Sequence, residues 1–465
     1  MIDRLYNAYL ASRTVTTDSR NITPGCLFFA FKGEKFDGNA FAPQALEQGA
    51  ALCVVSEKWK AESGKWKDDE RIIGVPDVLK TLQELAREHR RHLEIPVIGI
   101  TGTNGKTTTK ELVHAVLAKR YKTSATKGNF NNHLGVPLTL LSIPELTEIA
   151  IVEMGANHPG EIEFLCGISD PDCGFITNVG RAHLEGFGSF EGVVRTKTEL
   201  YRHLAGKHGM VFVNADNERL MHEAEKLSTI PGLRSVIPAY APDNPAFVPT
   251  TIEKTPLSML TYGRSQEADV RGTLVTDAQS PYLHFYFEVG DNVYNVHTHL
   301  LGSYNFDNCM AAVAVGLHFG VEPWDIKEAI EEYVPSNQRS EFKETARGNR
   351  LYLDCYNANP SSMAAAIESF AMMKGSMAII GGMHELGHDE RKEHKHVVAQ
   401  LDECHLDRCL LVGAEWDGLK LPGNMMLFPD TEALRSWLQA NPVSGATILI
   451  KGSNTNRLWT LEEML

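Results

Sequence analysis

Apolar residues along this chain gather in short runs separated by stretches of helical period. At the front, strand-like CLFFAF (26–31), AALCVV (50–55) and RIIGV (71–75), with helical stretches over 40–48 and 78–92, predict a small α/β unit. From Pro96 the runs PVIGI, IAIVEM, GFITNV and MVFVN alternate with helical segments. Continuous apolar runs are buried on both faces, which predicts a parallel sheet with helices on either side.

Between Ile252 and Leu301 the period becomes two: Leu283, Phe285, Phe287 and Val289 alternate with His284, Tyr286 and Glu288 up to Gly290-Asp291-Asn292. That predicts an antiparallel hairpin appended to the sheet. After Pro335 a third series follows: LYLD (351–354), MAIIGG (377–382), CLLVG (409–413), MMLF (425–428) and TILI (447–450). Strands alternating with helices at this spacing predict a doubly wound, Rossmann-like domain. No GxGxxG follows its first strand, so a dinucleotide is not expected there. The expected fold is α/β in three domains, over 1–94, 95–334 and 335–465. A single core serves at most roughly 250–300 residues, so 465 residues require such a division.

Composition narrows the function classes. The chain is 43% hydrophobic and 22% charged, and no apolar run approaches the ~20 residues a membrane span needs. The opening MIDRLYNAYLASRTV has neither a long apolar core nor a small-residue cleavage site, so the cytoplasm is the expected compartment. A formal net charge of −14 argues against nucleic-acid binding by phosphate neutralisation, leaving anionic ligands to local devices. The eight cysteines are scattered, and neither Cys404/Cys409 nor Cys166/Cys173 makes a CxxC unit, so buried thiols are expected rather than zinc or disulfides.

One local device stands out. PVIGITGTNGKTTTKELVHAVL places an apolar strand, a glycine-bearing turn and Lys-Thr-Thr before a helix. Gly102 and Gly105 can adopt backbone angles that turn N–H groups toward phosphate oxygens, and the helix adds its positive end. Lys106 then reaches the outer phosphates, and Thr107 offers a hydroxyl to Mg²⁺. Gly102, Thr103, Asn104, Gly105, Lys106, Thr107 and Thr108 are therefore the candidate ATP-binding loop. The spacing is not that of a strict Walker A loop, because Ile100 stands where the first glycine belongs. A purely structural turn is the alternative.

The variant TGTNGKTTT resembles the ATP loop of the Mur ligases and the related folylpolyglutamate synthases. In IAIVEMGANHPGEI, Glu153 ends a strand, and the resemblance implies that it holds magnesium. TNVGRAHLEGFGSFEGVVRTKTELY is similar to the family segment carrying a metal-binding His and a carbamylated Lys, here His183 and Lys197. A carbamate converts an ammonium into an anion able to position a second Mg²⁺. LLGSYNFDNCMAAVAVG resembles the family's Gly-x-His-Asn-x-x-Asn segment, which implies Asn305 and Asn308 near adenine, with Tyr304 replacing the usual histidine; either Asn could also be a helix cap. Arg339 and Asp354 match positions that reach ATP phosphate and ribose from the third domain.

DCYNANPSSM (354–363) resembles the subgroup that adds D-alanyl-D-alanine, implying Tyr356, Asn357 and Asn359 for the dipeptide. GGMHELGHDERKEH and KGSNTNR resemble further segments of that subgroup, with Gly382 replacing an aspartate and Asn454 an arginine. TTDSRNITPGCLFFAFKGEKFDGNAF resembles a uridine-diphosphate-binding domain, notably Asp18-Ser19-Arg20 and Asp37-Gly38. TKGNFNNHLGVPLTLL (126–141) resembles the segment facing the muramoyl-peptide, with Asn129, Asn131 and Asn132.

The resemblance thus implies a monomeric, ATP- and Mg²⁺-dependent amide ligase of peptidoglycan precursor synthesis, joining D-alanyl-D-alanine to UDP-N-acetylmuramoyl-tripeptide through an acyl phosphate. Domain 1–94 would hold the uridine diphosphate, 95–334 ATP and 335–465 the dipeptide. The rivals are a diamino-acid-adding Mur ligase or a folylpolyglutamate synthase, both disfavoured by YNANP, a P-loop kinase, and a UDP-sugar-binding module without catalysis.

Overall fold

The computed structural model describes residues 1–33, 36–228, 257–275, 280–335, 339, 341–372 and 375–465. Two compact units emerge, one of residues 1–100, 121–155 and 161–174, the other of 101–120, 156–160 and 175–465.

The first unit opens with a four-stranded parallel sheet in the order Val15–Thr16, Leu27–Phe29, Leu52–Ser56, Ile72–Val75. Its three longer strands are the three predicted ones, and Cys26, Phe28, Cys53, Val55 and Ile72 build its core. The helix Val78–His92 falls where its period predicted. Asp77 caps it by accepting from the Lys80 N–H at 2.9 Å, and its last turn is basic, matching the partial charges at each helix end. Its apolar face, with Val78, Leu82, Leu85 and Ala86, packs on the helices Gly135–Leu141 and Glu161–Ser169. Ile2–Ser12, read above only for the absence of a signal, is a helix lying on the same element. Within this unit Ile149–Glu153 pairs in parallel with both Val97–Thr101 and Thr123–Ala125.

In the second unit Met210–Asn214 follows Cys173–Ile176 in the sheet order. The predicted hairpin is present as Tyr282–Val289 and Asn292–Leu301, antiparallel around Gly290. Ser258–Gly263 departs from the expected change of period: it pairs in parallel with Met210–Asn214. All its residues but the first are buried, so it is a doubly covered strand and shows no alternation. Ile252 lies outside the described residues.

The third predicted series forms a six-stranded sheet in the order Glu341–Glu344, Arg350–Asp354, Thr447–Lys451, Met377–Gly381, Arg408–Val412, Met425–Phe428. All five predicted strands are there and mutually parallel, so their carboxyl ends share one edge, where ligands bind in such sheets. Glu341–Glu344 is an additional antiparallel edge strand. None of the eight cysteines forms a disulfide; seven are buried, and burial pushes the Cys53 and Cys409 thiols up to about 12. No described helix is long and apolar enough to cross a membrane.

Candidate active site

Strand Val97–Thr101 runs into the phosphate loop, which passes directly into helix Lys106–Ala118. Gly105 is at φ 77°, and a Cβ there would lie 2.5 Å from Asn308 Oδ1, so only glycine lets the loop sit this close to its neighbour. The Lys106 ammonium donates to the carbonyls of Gly102 at 2.8 Å and Thr103 at 3.1 Å, which holds it against the loop. Thr107 and Thr108 are buried in the first helical turn, whose N–H groups have no partner within the helix.

Residues 177–180 clamp the loop from the side. Thr103 N–H donates to the Asn178 carbonyl and Asn104 N–H to Asn178 Oδ1, both at 3.0 Å. Thr177 Oγ1 donates to the Asn104 carbonyl at 2.6 Å, and Gly180 N–H to Thr103 Oγ1 at 3.0 Å. Sequence reasoning passed over Thr177 and Asn178; their only signal was adjacency to the segment of His183. Asn305 and Asn308, expected near adenine, lie in a buried chain of amides. Asn305 Nδ2 donates to the Leu301 carbonyl and Asn308 Nδ2 to Asn305 Oδ1, each at 2.7 Å, while Asn308 Oδ1 accepts from Thr109 Oγ1 at 3.0 Å. In this arrangement they buttress the loop from below. Tyr304 immediately precedes their helix and makes no side-chain cap.

His183 has a left-handed backbone, φ 50°, and its Nδ1 pairs with the Glu385 carboxylate. Burial lowers its pKa, foremost against the opposing pull of Glu385, and the ammonium groups of Lys106 and Lys197 push the same way as burial. The imidazole is therefore held toward its neutral, ligating form. Lys197 is buried, donating to the Ala156 carbonyl at 3.3 Å with its ammonium 5.5 Å from the Phe187 ring centre. Among the described residues no three His, Cys, Asp or Glu side chains form a metal cluster. The Thr107 hydroxyl suits a hard cation that completes its shell with water and phosphate oxygens, and the His183 imidazole is a borderline donor beside it.

In the first unit, Glu153 is buried at its strand end and accepts from Asn131 Nδ2 at 2.8 Å. Asn132 Oδ1 accepts from Leu134 N–H at 3.1 Å and Gly135 N–H at 2.9 Å just ahead of the next helix, and Asn129 is exposed. Asp18 and Arg20 form a two-pronged pair at 2.9 and 2.8 Å around Ser19, and Arg20 holds the Asp18 carboxyl down at about 2.

The third-domain residues meet the loop. Asn359 caps helix Pro360–Met372, accepting from Ser362 N–H at 2.9 Å. The same amide exchanges hydrogen bonds with Asn104, donating at 2.7 Å and accepting at 3.4 Å. Arg181 N–H donates to Ser361 Oγ at 2.9 Å, and its guanidinium to the buried Glu393 at 2.7 Å. Arg339 stacks 3.5 Å over the Tyr356 ring. Asn357 Oδ1 accepts the Ala358 N–H at 2.9 Å. Asp354 pairs with the fully buried Lys451 at 2.6 Å, a lysine that sequence reasoning missed inside KGSNTNR.

Two of the sequence departures, Gly382 and Asn454, fall on the same sheet edge. A Cβ at Gly382 would collide with the Glu415 carboxylate, which fills the space from the 3-10 turn Ala414–Trp416 that follows the neighbouring strand. Glu415 also lies 3.2 Å from His384 Nδ1, and His384 Nε2 is 3.0 Å from Thr455 Oγ1, one residue beyond Asn454.

Comparison with known proteins covers the same ground. The model of the Mur ligase family, catalytic domain, matches residues 12–90; the Mur ligase middle domain matches 100–231; the Mur ligase, glutamate ligase domain, matches 338–454. The UDP-N-acetylmuramoyl-tripeptide–D-alanyl-D-alanine ligase of Bacillus subtilis (strain 168) is 35% identical over 402 residues, 86% of this chain and 79% of its own length. The ligase of that name from Escherichia coli (strain K12) is 33% identical over 457 residues, 97% and 93% of the two chains. The crystal structure of the MurF ligase from Thermotoga maritima in complex with ADP is similar with a TM-score of 0.80 at 26% identity, over 98% of this chain and 97% of that one.

Proposed function

This chain belongs to the Mur ligase family, and we propose that it joins D-alanyl-D-alanine to UDP-N-acetylmuramoyl-tripeptide, using ATP, in peptidoglycan precursor synthesis. The observation that carries this reading is the Asn104–Asn359 amide pair, which brings the YNANP segment against the phosphate loop. An amide ligase needs the dipeptide amine and the activated carboxylate at one place, and no hydroxyl acceptor of a kinase is required.

A free carboxylate is a poor electrophile, so the γ-phosphoryl group passes first to the terminal carboxylate of the tripeptide. The resulting acyl phosphate is attacked by the dipeptide amine, and phosphate leaves. Lys106 and the N–H groups at the start of helix Lys106–Ala118 bind the nucleotide phosphates and offset the developing charge. Magnesium, held by Thr107, Glu153, His183 and carbamylated Lys197, would supply charge neutralisation on the phosphate oxygens. Arg339 and Asp354 take the nucleotide from the third domain, Tyr356, Asn357 and Asn359 the dipeptide, and ordering both substrates lowers the entropic barrier. Asp18, Ser19, Arg20 and Asn129 to Asn132 face the UDP substrate. The domains are 1–94, 95–334 and 335–465, and the enzyme works as a cytoplasmic monomer.

The test is phosphate release with product analysis. ADP, phosphate and UDP-N-acetylmuramoyl-pentapeptide are expected only when ATP, the tripeptide and D-alanyl-D-alanine are all present. A phosphorylated product without a new amide would overturn the reading.

A further inference from the structure

We propose that Glu385, on the third domain, is a positioning residue that orients His183 for its cation, so that the metal site is complete only with that domain docked. This rests on the reading of His183 as a metal ligand given above.

A metal-ligating histidine needs its second ring nitrogen fixed, because that hydrogen bond sets both the tautomer and the direction of the first. Glu385 Oε2 pairs with His183 Nδ1; a carboxylate only accepts, which assigns Nδ1 as the protonated nitrogen and leaves the lone pair on Nε2. Both residues adopt left-handed backbone, φ 50° at His183 and φ 60° at Glu385, a conformation that side-chain-bearing residues seldom take. Paired strain of this kind persists where surroundings over-determine it. The backbones also meet: Glu185 N–H donates to the Glu385 carbonyl at 3.5 Å. The ring lies edge-on to Phe187, with centroids 6.4 Å apart, which limits its swing.

Magnitude separates orientation from stability. The Glu385 side chain is 57% exposed, so its ion pair adds little to the fold. What it controls is ring geometry, and loss of such an outer carboxylate lowers metal affinity by about 10- to 100-fold.

The experiment is Mn²⁺ binding to the full chain with ADP, read by electron paramagnetic resonance, alongside metal-free ADP binding and thermal unfolding. In Glu385→Gln the Mn²⁺ affinity is expected to fall about tenfold or more, with metal-free ADP affinity and the unfolding midpoint unchanged. Glu385→Asp, which keeps the charge, should recover part of the loss. Unchanged Mn²⁺ affinity in Glu385→Gln overturns the proposal, as does an equal loss of metal-free ADP binding, which would mark general packing. Failure of His183→Ala to weaken Mn²⁺ would instead remove His183 as a ligand and leave the ligase reaction to its own assay.

Discussion

Lys106 concentrates the chemistry of the loop in one ammonium, anchored on the carbonyls of Gly102 and Thr103 and exerting its charge on His183. Lys106→Ala should cut kcat by more than a hundredfold, roughly 3 kcal/mol of lost transition-state stabilisation, with the unfolding midpoint unmoved. A kcat within a few-fold of the parent chain would refute that role. The loop was legible in the sequence because strand, glycines, lysine and helix are contiguous. The roles of Asn305 and Asn308 were less so, since an amide can serve a ligand or a neighbour equally well. Only the fold shows Asn308 tied to Thr109. Glu385, Asn178 and Lys451 act across long sequence separations, where one-dimensional pattern carries no signal.

At the scale of elements, the C-terminal sheet edge shows how a neighbouring turn forbids a side chain at one position. Gly382 has no room for a side chain because the Glu415 carboxylate occupies it, and a second carboxylate there would add like-charge repulsion. Gly382→Asp should lower stability by about 1–3 kcal/mol, as overpacking does, and adding Glu415→Ala should restore most of it. Urea unfolding of the single and double variants would decide, and additive losses would reject the coupling. Element recognition followed the strength of pattern. Val78–His92 was readable from its helical period, and the structure adds its aspartate cap and basic end. Glu341–Glu344 was not, because an edge strand of EFKE is mostly charged and only half-buried. Ser258–Gly263 was misjudged through its neighbourhood, since the clear alternation after Leu283 coloured the stretch before it.

For the whole molecule, one buried and one largely covered histidine contribute to an acid limit. Burial lowers His89 and His318 from 6.5 to about 4, one in each compact unit. Above 6.5 neither state holds the proton; between 6.5 and about 4 only the unfolded chain takes it, so stability is lost as pH falls. At about pH 5 each histidine should weaken the fold by roughly 2 kcal/mol. Urea midpoints at about pH 7 and 5 should differ accordingly, and His89→Gln with His318→Gln should narrow the difference, His114, His183 and His394 supplying the rest. A midpoint that ignores pH over this range would contradict the assignment. The clasp between phosphate loop and YNANP has a consequence in time. Its two bonds join neutral amides worth about 1 kcal/mol each. Held that way, opening is slowed about 30-fold; charged partners of twice the strength would slow it nearly a thousandfold. Asparagine on both sides therefore leaves the clasp easy to part, where an ion pair would hold it.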